Sequence, residues 1–145
     1  ISWVDMTPTI LDMAGVDISK EDFYGMFFPA ILDGEITKGW DKMYASHTFH
    51  EITMYYPMRA MRKGDYKIIW NIAYQLEYPF ASDLWVSSTW QSVSENNKKY
   101  FGKRTAEAYL HRPEFELYNL KEDPDEINNL ATKKEYADIL EEMKN

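Results

Sequence analysis

The chain of 145 residues contains no cysteine. That excludes disulfide scaffolds, cysteine zinc sites and cysteine nucleophiles within it. Positive charge is also scarce: 16 Lys and Arg stand against 24 Asp and Glu, for a net charge of −8. A basic face for nucleic acid or an anionic membrane surface is not expected, and the summed field repels a polyanion. No apolar run approaches the roughly 20 residues that cross a bilayer. Neither nucleic acid nor membrane is therefore an expected partner. The start, Ile1-Ser2-Trp3-Val4-Asp5, has no initiator Met and none of the regions of a signal peptide, so it reads as the interior of a longer chain.

What is present is a core-forming composition. Hydrophobic residues make up 45% of the chain and aromatics 16%, with five Trp and eleven Tyr. A single domain of this length buries roughly 68–70% of its unfolded surface. Most of the rings, and Met6, Met13, Met26, Met43, Met54, Met58 and Met61, read as core filling.

Punctuation along the chain predicts the elements. Asp5 or Thr7 can cap a helix that tolerates Pro8 in its first turn and ends at Gly15, with Met6, Ile10, Leu11 and Ala14 on one stripe. A short apolar stretch runs from Phe27 to Leu32 and stops at Asp33-Gly34. Lys42 to Phe49 alternates, placing Met43, Ala45, His47 and Phe49 on one side of a strand. Met58–Arg62 and Tyr66–Ile72 form a hairpin around Lys63-Gly64-Asp65, with Pro57 at the start of its strand. Ser87 or Ser88 can cap a helix through Trp90 and Val93, and Thr105 to Leu110 is a further helix. Glu114 to Leu120 is a fourth strand. The last helix has capping-box spacing at Thr132 and Glu135 and an apolar repeat at Tyr136, Ile139, Leu140 and Met143. The expected class is α+β: a small antiparallel β-sheet packed by helices, including a C-terminal helix.

Two blocks carry a resemblance to a family. Phe115-Glu116-Leu117-Tyr118-Asn119-Leu120, followed by Asp123-Pro124-Asp125-Glu126 and Asn129-Leu130-Ala131, closely resembles the C-terminal block of type I (formylglycine-dependent) sulfatases. Asp5 to Gly15 resembles the helix that follows their catalytic half. The runs His50 to Arg59 and Leu84 to Gln91 are most similar to the N-sulfoglucosamine sulfohydrolase (heparan sulfamidase) subgroup. The resemblance implies an alkaline-phosphatase-like fold, with residues 1–40 as the tail end of the catalytic domain and residues 41–145 as the C-terminal domain. It also implies a periplasmic, secreted or lysosomal protein.

The family's chemistry needs a nucleophile beside converging positive charge. By resemblance these are a formylglycine, made within Cys/Ser-x-Pro/Ala-x-Arg, and a calcium ion. No serine here stands in that context. The catalytic nucleophile and the metal site are expected outside this chain, in the longer parent, and the chain alone is expected to be inactive.

What the resemblance leaves to this chain is substrate recognition, with His50 and Glu51 as foremost candidates and His47 and Arg59 after them. A carboxylate accepts from sugar hydroxyls, and imidazole or guanidinium donates to sulfate or uronate oxygens. The competing reading makes His47 a hydrogen-bonded core imidazole. A metal reading of His47 and His50 lacks a third ligand. Asp123-Pro124-Asp125-Glu126 lacks calcium-loop spacing and reads as a solvated turn.

The expected function is the C-terminal part of a sulfatase for sulfate esters or N-sulfates of glycosaminoglycan sugars, forming one wall of the substrate pocket. The alternatives are a sulfatase for aryl or other carbohydrate O-sulfates, or a non-catalytic module of the same shape. The expected partners are the sulfated sugar and the N-terminal catalytic domain, and an uncovered interdomain face can drive self-association.

Overall fold

The computed structural model describes residues 1–28, 34, 40–52 and 54–145. The expected apolar stretch from Phe27 to Leu32 lies largely outside the described residues. Two compact units are present, Ile1–Tyr44 and Ala45–Asn145.

In the first unit a 3-10 turn, Trp3–Asp5, runs into helix α1, Met6–Met13. Asp5 does not cap α1 through its side chain. Its buried carboxylate instead accepts from the Ser2 amide (2.6 Å) and the Met26 amide (3.0 Å), fastening the helix start to a segment twenty-one residues on. Gly25 is required for that approach. A Cβ there would stand 2.0 Å from the Val4 carbonyl oxygen, well inside contact distance. Gly15, at φ +77°, ends the helix as expected. Of the apolar stripe, Met6 and Leu11 are half-buried and Ile10 and Ala14 exposed, while the buried residues of α1 are Pro8 and Thr9. Thr9 is drawn inward because its hydroxyl donates to the Asp5 carbonyl (2.7 Å).

A four-stranded sheet has the order β1-β2-β3-β6, where β1 is Lys42–Phe49, β2 Tyr55–Lys63, β3 Tyr66–Asn71 and β6 Phe115–Asn119; all of it from Ala45 on belongs to the second unit. The antiparallel β2–β3 hairpin turns at Gly64, φ +57°, with Lys63 opposite Tyr66. Pro57 sits third in β2 rather than first, and its carbonyl accepts from Ile72. β1 is an edge strand, and among Met43, Ala45, His47 and Phe49 only His47 is half-buried. Met13, Met26 and Met43 are likewise exposed, so the core-filling reading fails for them.

One face of the sheet is aliphatic. Met61, Ile68 and Leu117 stand in register across three strands. They pack with Leu130, Leu140 and Met143, the last two from helix α5, Ala137–Lys144. The predicted stripe of that helix is therefore observed. The capping box is not: α5 begins through a 3-10 turn, Lys134–Tyr136, without a side-chain cap.

The other face meets an aromatic cluster built by the segment that follows β3. Helix α2 is Ser82–Trp85, α3 Ser88–Glu95 and α4 Ala106–Leu110, with a two-stranded ribbon of β4, Tyr100–Phe101, and β5, Arg104–Thr105. Ser87 caps α3 by accepting from the Trp90 amide (3.2 Å), and Thr105 caps α4 by accepting from Ala108 (3.1 Å). Phe80, Trp90, Phe101 and Tyr109 pack ring to ring, with centroids 4.2–6.3 Å apart.

The Asp123–Ala131 block is architectural. Asp123 accepts from the amides of Ile127 (2.8 Å) and Asn128 (2.7 Å), closing the turn. The Asn129 side chain accepts from the Leu117 amide (2.9 Å) and donates to the Phe115 carbonyl (3.2 Å), occupying the free edge of β6 as a neighbouring strand would. Glu126 is half-buried rather than free in solvent: it is held by Lys67 at 2.7 and 3.0 Å while its backbone sits at φ +54°.

Candidate functional site

The four candidate residues gather around the connection from β1 to β2. The chain turns there through a His50 amide to Met54 carbonyl bond (3.1 Å) and a Met54 amide to Glu51 carbonyl bond (3.0 Å). Ile52 projects fully from this turn, and Met54 is buried beneath it. Thr53 lies outside the described residues.

Glu51 is half-buried, and its carboxylate is engaged. One oxygen accepts from the Ser82 amide at 3.1 Å and the other from the Ser82 hydroxyl at 3.3 Å. Ser82 opens α2, so the carboxylate satisfies one of the amides that a helix start leaves without a partner. The turn carrying His50 is thereby fastened to α2 across thirty-one residues of sequence. His50 itself is exposed.

His47 is half-buried, and its Nδ1 lies 3.1 Å from the Tyr56 carbonyl oxygen. A carbonyl only accepts, so Nδ1 carries the hydrogen in this contact. Arg59 donates to the carbonyls of Met58 (2.9 Å) and His47 (3.4 Å), joining neighbouring strands. By strand alternation its side chain leaves the face opposite to Tyr56 and Met58. The structure thus brings His47 and Arg59 together through backbone groups and sets His50 and Glu51 on the adjoining turn. Ser82 was missed from the sequence. No spacing rule links a carboxylate to a helix start so far along the chain.

Among the described residues no group of three or more His, Asp or Glu could hold a metal ion. The sequence has neither a cysteine nor a serine in the Cys/Ser-x-Pro/Ala-x-Arg context, so it holds no precursor of the formylglycine that the resemblance implies for a longer parent.

A second polar cluster, on the sheet face toward the aromatic rings, was not flagged by the sequence. Glu116 is buried and accepts from the Asn71 amide group (2.7 Å) and from the Tyr118 hydroxyl. Burial first, then the Glu116 charge, pushes the Tyr118 hydroxyl well above the usual phenol range. Burial also raises Tyr56 and Tyr109, and the Arg112 guanidinium opposes both shifts.

The α+β arrangement of a small antiparallel sheet closed by a terminal helix is one shared with sulfatases. A solved structure described as a 2-O GAG sulfatase superposes with a TM-score of 0.61 at 22% identity, over 97% of this chain and 22% of that one. No protein-family model matches the chain. Human N-sulphoglucosamine sulphohydrolase is 30% identical over 99% of this chain, and an ulvan-active sulfatase of Formosa agariphila is 29% identical over 99%. The chain spans about 30% and 27% of the lengths of these two relatives. It is a sulfatase homologue, corresponding to a C-terminal part of those enzymes.

Proposed function

We propose that the chain is the part of a sulfatase, acting on sulfated glycosaminoglycan sugars, that forms one wall of the substrate pocket. On this reading residues 1–40 end the catalytic domain and residues 41–145 form the C-terminal domain. The nucleophile and the metal belong to the parent beyond this chain. The observation that supports the wall is the clamp of Glu51 on Ser82, which leaves His50 exposed on a fixed turn.

The roles of the two foremost residues then differ. His50 is the group offered to the sugar, since an imidazole N–H donates to sulfate or carboxylate oxygens. Glu51 positions it, because its oxygens already accept from Ser82. His47 and Arg59 hold the strands beneath and are assigned no sugar contact. A fixed donor matters because loss of geometry at a binding site lowers rate as well as affinity.

The test uses the longer sulfatase that contains this chain. His50→Ala raises KM for an N-sulfated glucosamine several-fold, while Glu51→Ala raises KM and lowers kcat together. Unchanged constants in both variants overturn the pocket-wall reading. The name of the Formosa relative points to another carbohydrate sulfate as the second reading. A comparison of N-sulfated, O-sulfated and aryl substrates on the same enzyme separates the two.

A further inference from the structure

We propose that the hollow between the polar sheet face and the aromatic cluster binds a small organic anion, its head group on Arg104 and Arg112 and its ring-sized body against Tyr78 and Tyr109. The hollow has a volume of about 470 Å³ and is lined by these four residues together with Lys67 and Glu126 among others. That volume falls in the range of pockets that take one small molecule, about 300–1,000 Å³. All its residues belong to the second unit, and none belongs to the His50 turn.

The charge balance of the lining favours an anion. Three cations face one carboxylate, Glu126, which Lys67 holds at 2.7 Å and which Arg104 approaches at 3.9 Å. Arg112 makes no ion pair among the described residues. Its guanidinium lies 3.7 Å from the centre of the Tyr78 ring and 5.5 Å from that of Tyr109, with one long bond from Nε to the Tyr109 carbonyl at 3.5 Å. Stacking fixes the plane of the fork and leaves most of its donors for an acceptor in that plane. The residue is half-buried, so those donors are partly withdrawn from water. A carboxylate, sulfate or phosphate head matches such a fork with paired hydrogen bonds. The Tyr78 and Tyr109 rings beside it stand at 82° to one another and supply an apolar corner for the body.

The competing role for Arg112 is structural: it locks Tyr78 and Tyr109 and takes no ligand. The intact chain distinguishes the two by following its arginine Nε–H signals in NMR during titration with benzoate, phenyl sulfate and neutral benzyl alcohol. Both anions shift the Arg104 and Arg112 signals saturably and bind at least about tenfold tighter than the alcohol, the equivalent of about 1.4 kcal/mol. The tighter anion identifies the head group. Arg112→Gln removes the anion response at Arg104 while the far-ultraviolet circular dichroism is retained. If that variant does not fold, the titration of the unaltered chain decides alone. Absence of saturable shifts at Arg104 and Arg112, or equal binding of benzyl alcohol, overturns the proposal.

Discussion

The two faces of the sheet are made by alternate residues of the same strands, yet they are built on different principles. Toward α5, Met61, Ile68 and Leu117 line up and pack with Leu130, Leu140 and Met143. Toward the aromatic cluster, one residue along in each direction, Glu116 and Tyr118 bring a carboxylate and a phenol inside. The buried side-chain polar atoms without a hydrogen bond among the described residues are the Tyr56 hydroxyl, Asn71 Oδ1 and Trp90 Nε1. All three belong to the second face or to the rings above it. The aliphatic face stabilises by area removed from water, which is tolerant of detail. The polar face depends on geometry, because each buried group must find its partner.

Substitutions on the two faces break this contrast in graded ways. Leu117→Ala, at a fully buried position, lowers unfolding free energy by about 2–5 kcal/mol in urea titration. A loss below about 1 kcal/mol would mean that the aliphatic face is not the main source of stability. Glu116→Leu leaves the Asn71 amide and the Tyr118 hydroxyl short of an acceptor and costs about 1–3 kcal/mol. A neutral result there would show that the polar face is as tolerant as the other.

The third prediction concerns pH. Tyr118 titrates higher in the folded chain than its ordinary value of 10.0. The folded state therefore keeps the proton that the unfolded chain loses. This contribution to stability is full below pH 10.0 and is lost as pH rises above it toward the folded value. Tyr118→Phe reduces the alkaline loss of stability seen in urea midpoints between neutral pH and strong alkali. An unchanged slope would place the titrating group elsewhere. Smallest of the four, Ser82→Ala costs about 0.5 kcal/mol, since it removes one long hydrogen bond of the Glu51 clamp and spares the amide. Hydrogen exchange of the Met54 amide reads whether the turn loosens.

The same contrast decides what could be read from the sequence. The helical part of the aliphatic face was legible because Leu140 and Met143 recur at a fixed period in the last helix. Turns marked by glycine were legible too, as at Gly15 and Gly64. The polar face was not, because Asn71, Glu116 and Tyr118 are joined by tertiary contacts that no period encodes. Asp123-Pro124-Asp125-Glu126 shows both outcomes: Asp123 closes a turn as read, whereas Glu126 turns inward to Lys67 instead of facing water. The clustering of His47, His50, Glu51 and Arg59 followed from their nearness in sequence, but the engagement of Glu51 with Ser82 did not. On the first helix the apolar stripe was legible but its burial was not: Met6 and Leu11 are half-buried while Ile10 is exposed.

The Asn129 side chain has a consequence for how copies of this chain can meet. By spending its carbonyl and amide on Leu117 and Phe115, it blocks the hydrogen-bonding row along one margin of the sheet. A strand from another molecule has no template there. At the opposite margin β1 has no further strand beside it among the described residues, and Tyr44 and Phe49 stand exposed along it. Any strand exchange between copies would find its open template at β1 rather than at β6, and Tyr44→Lys or Phe49→Lys would blunt that edge.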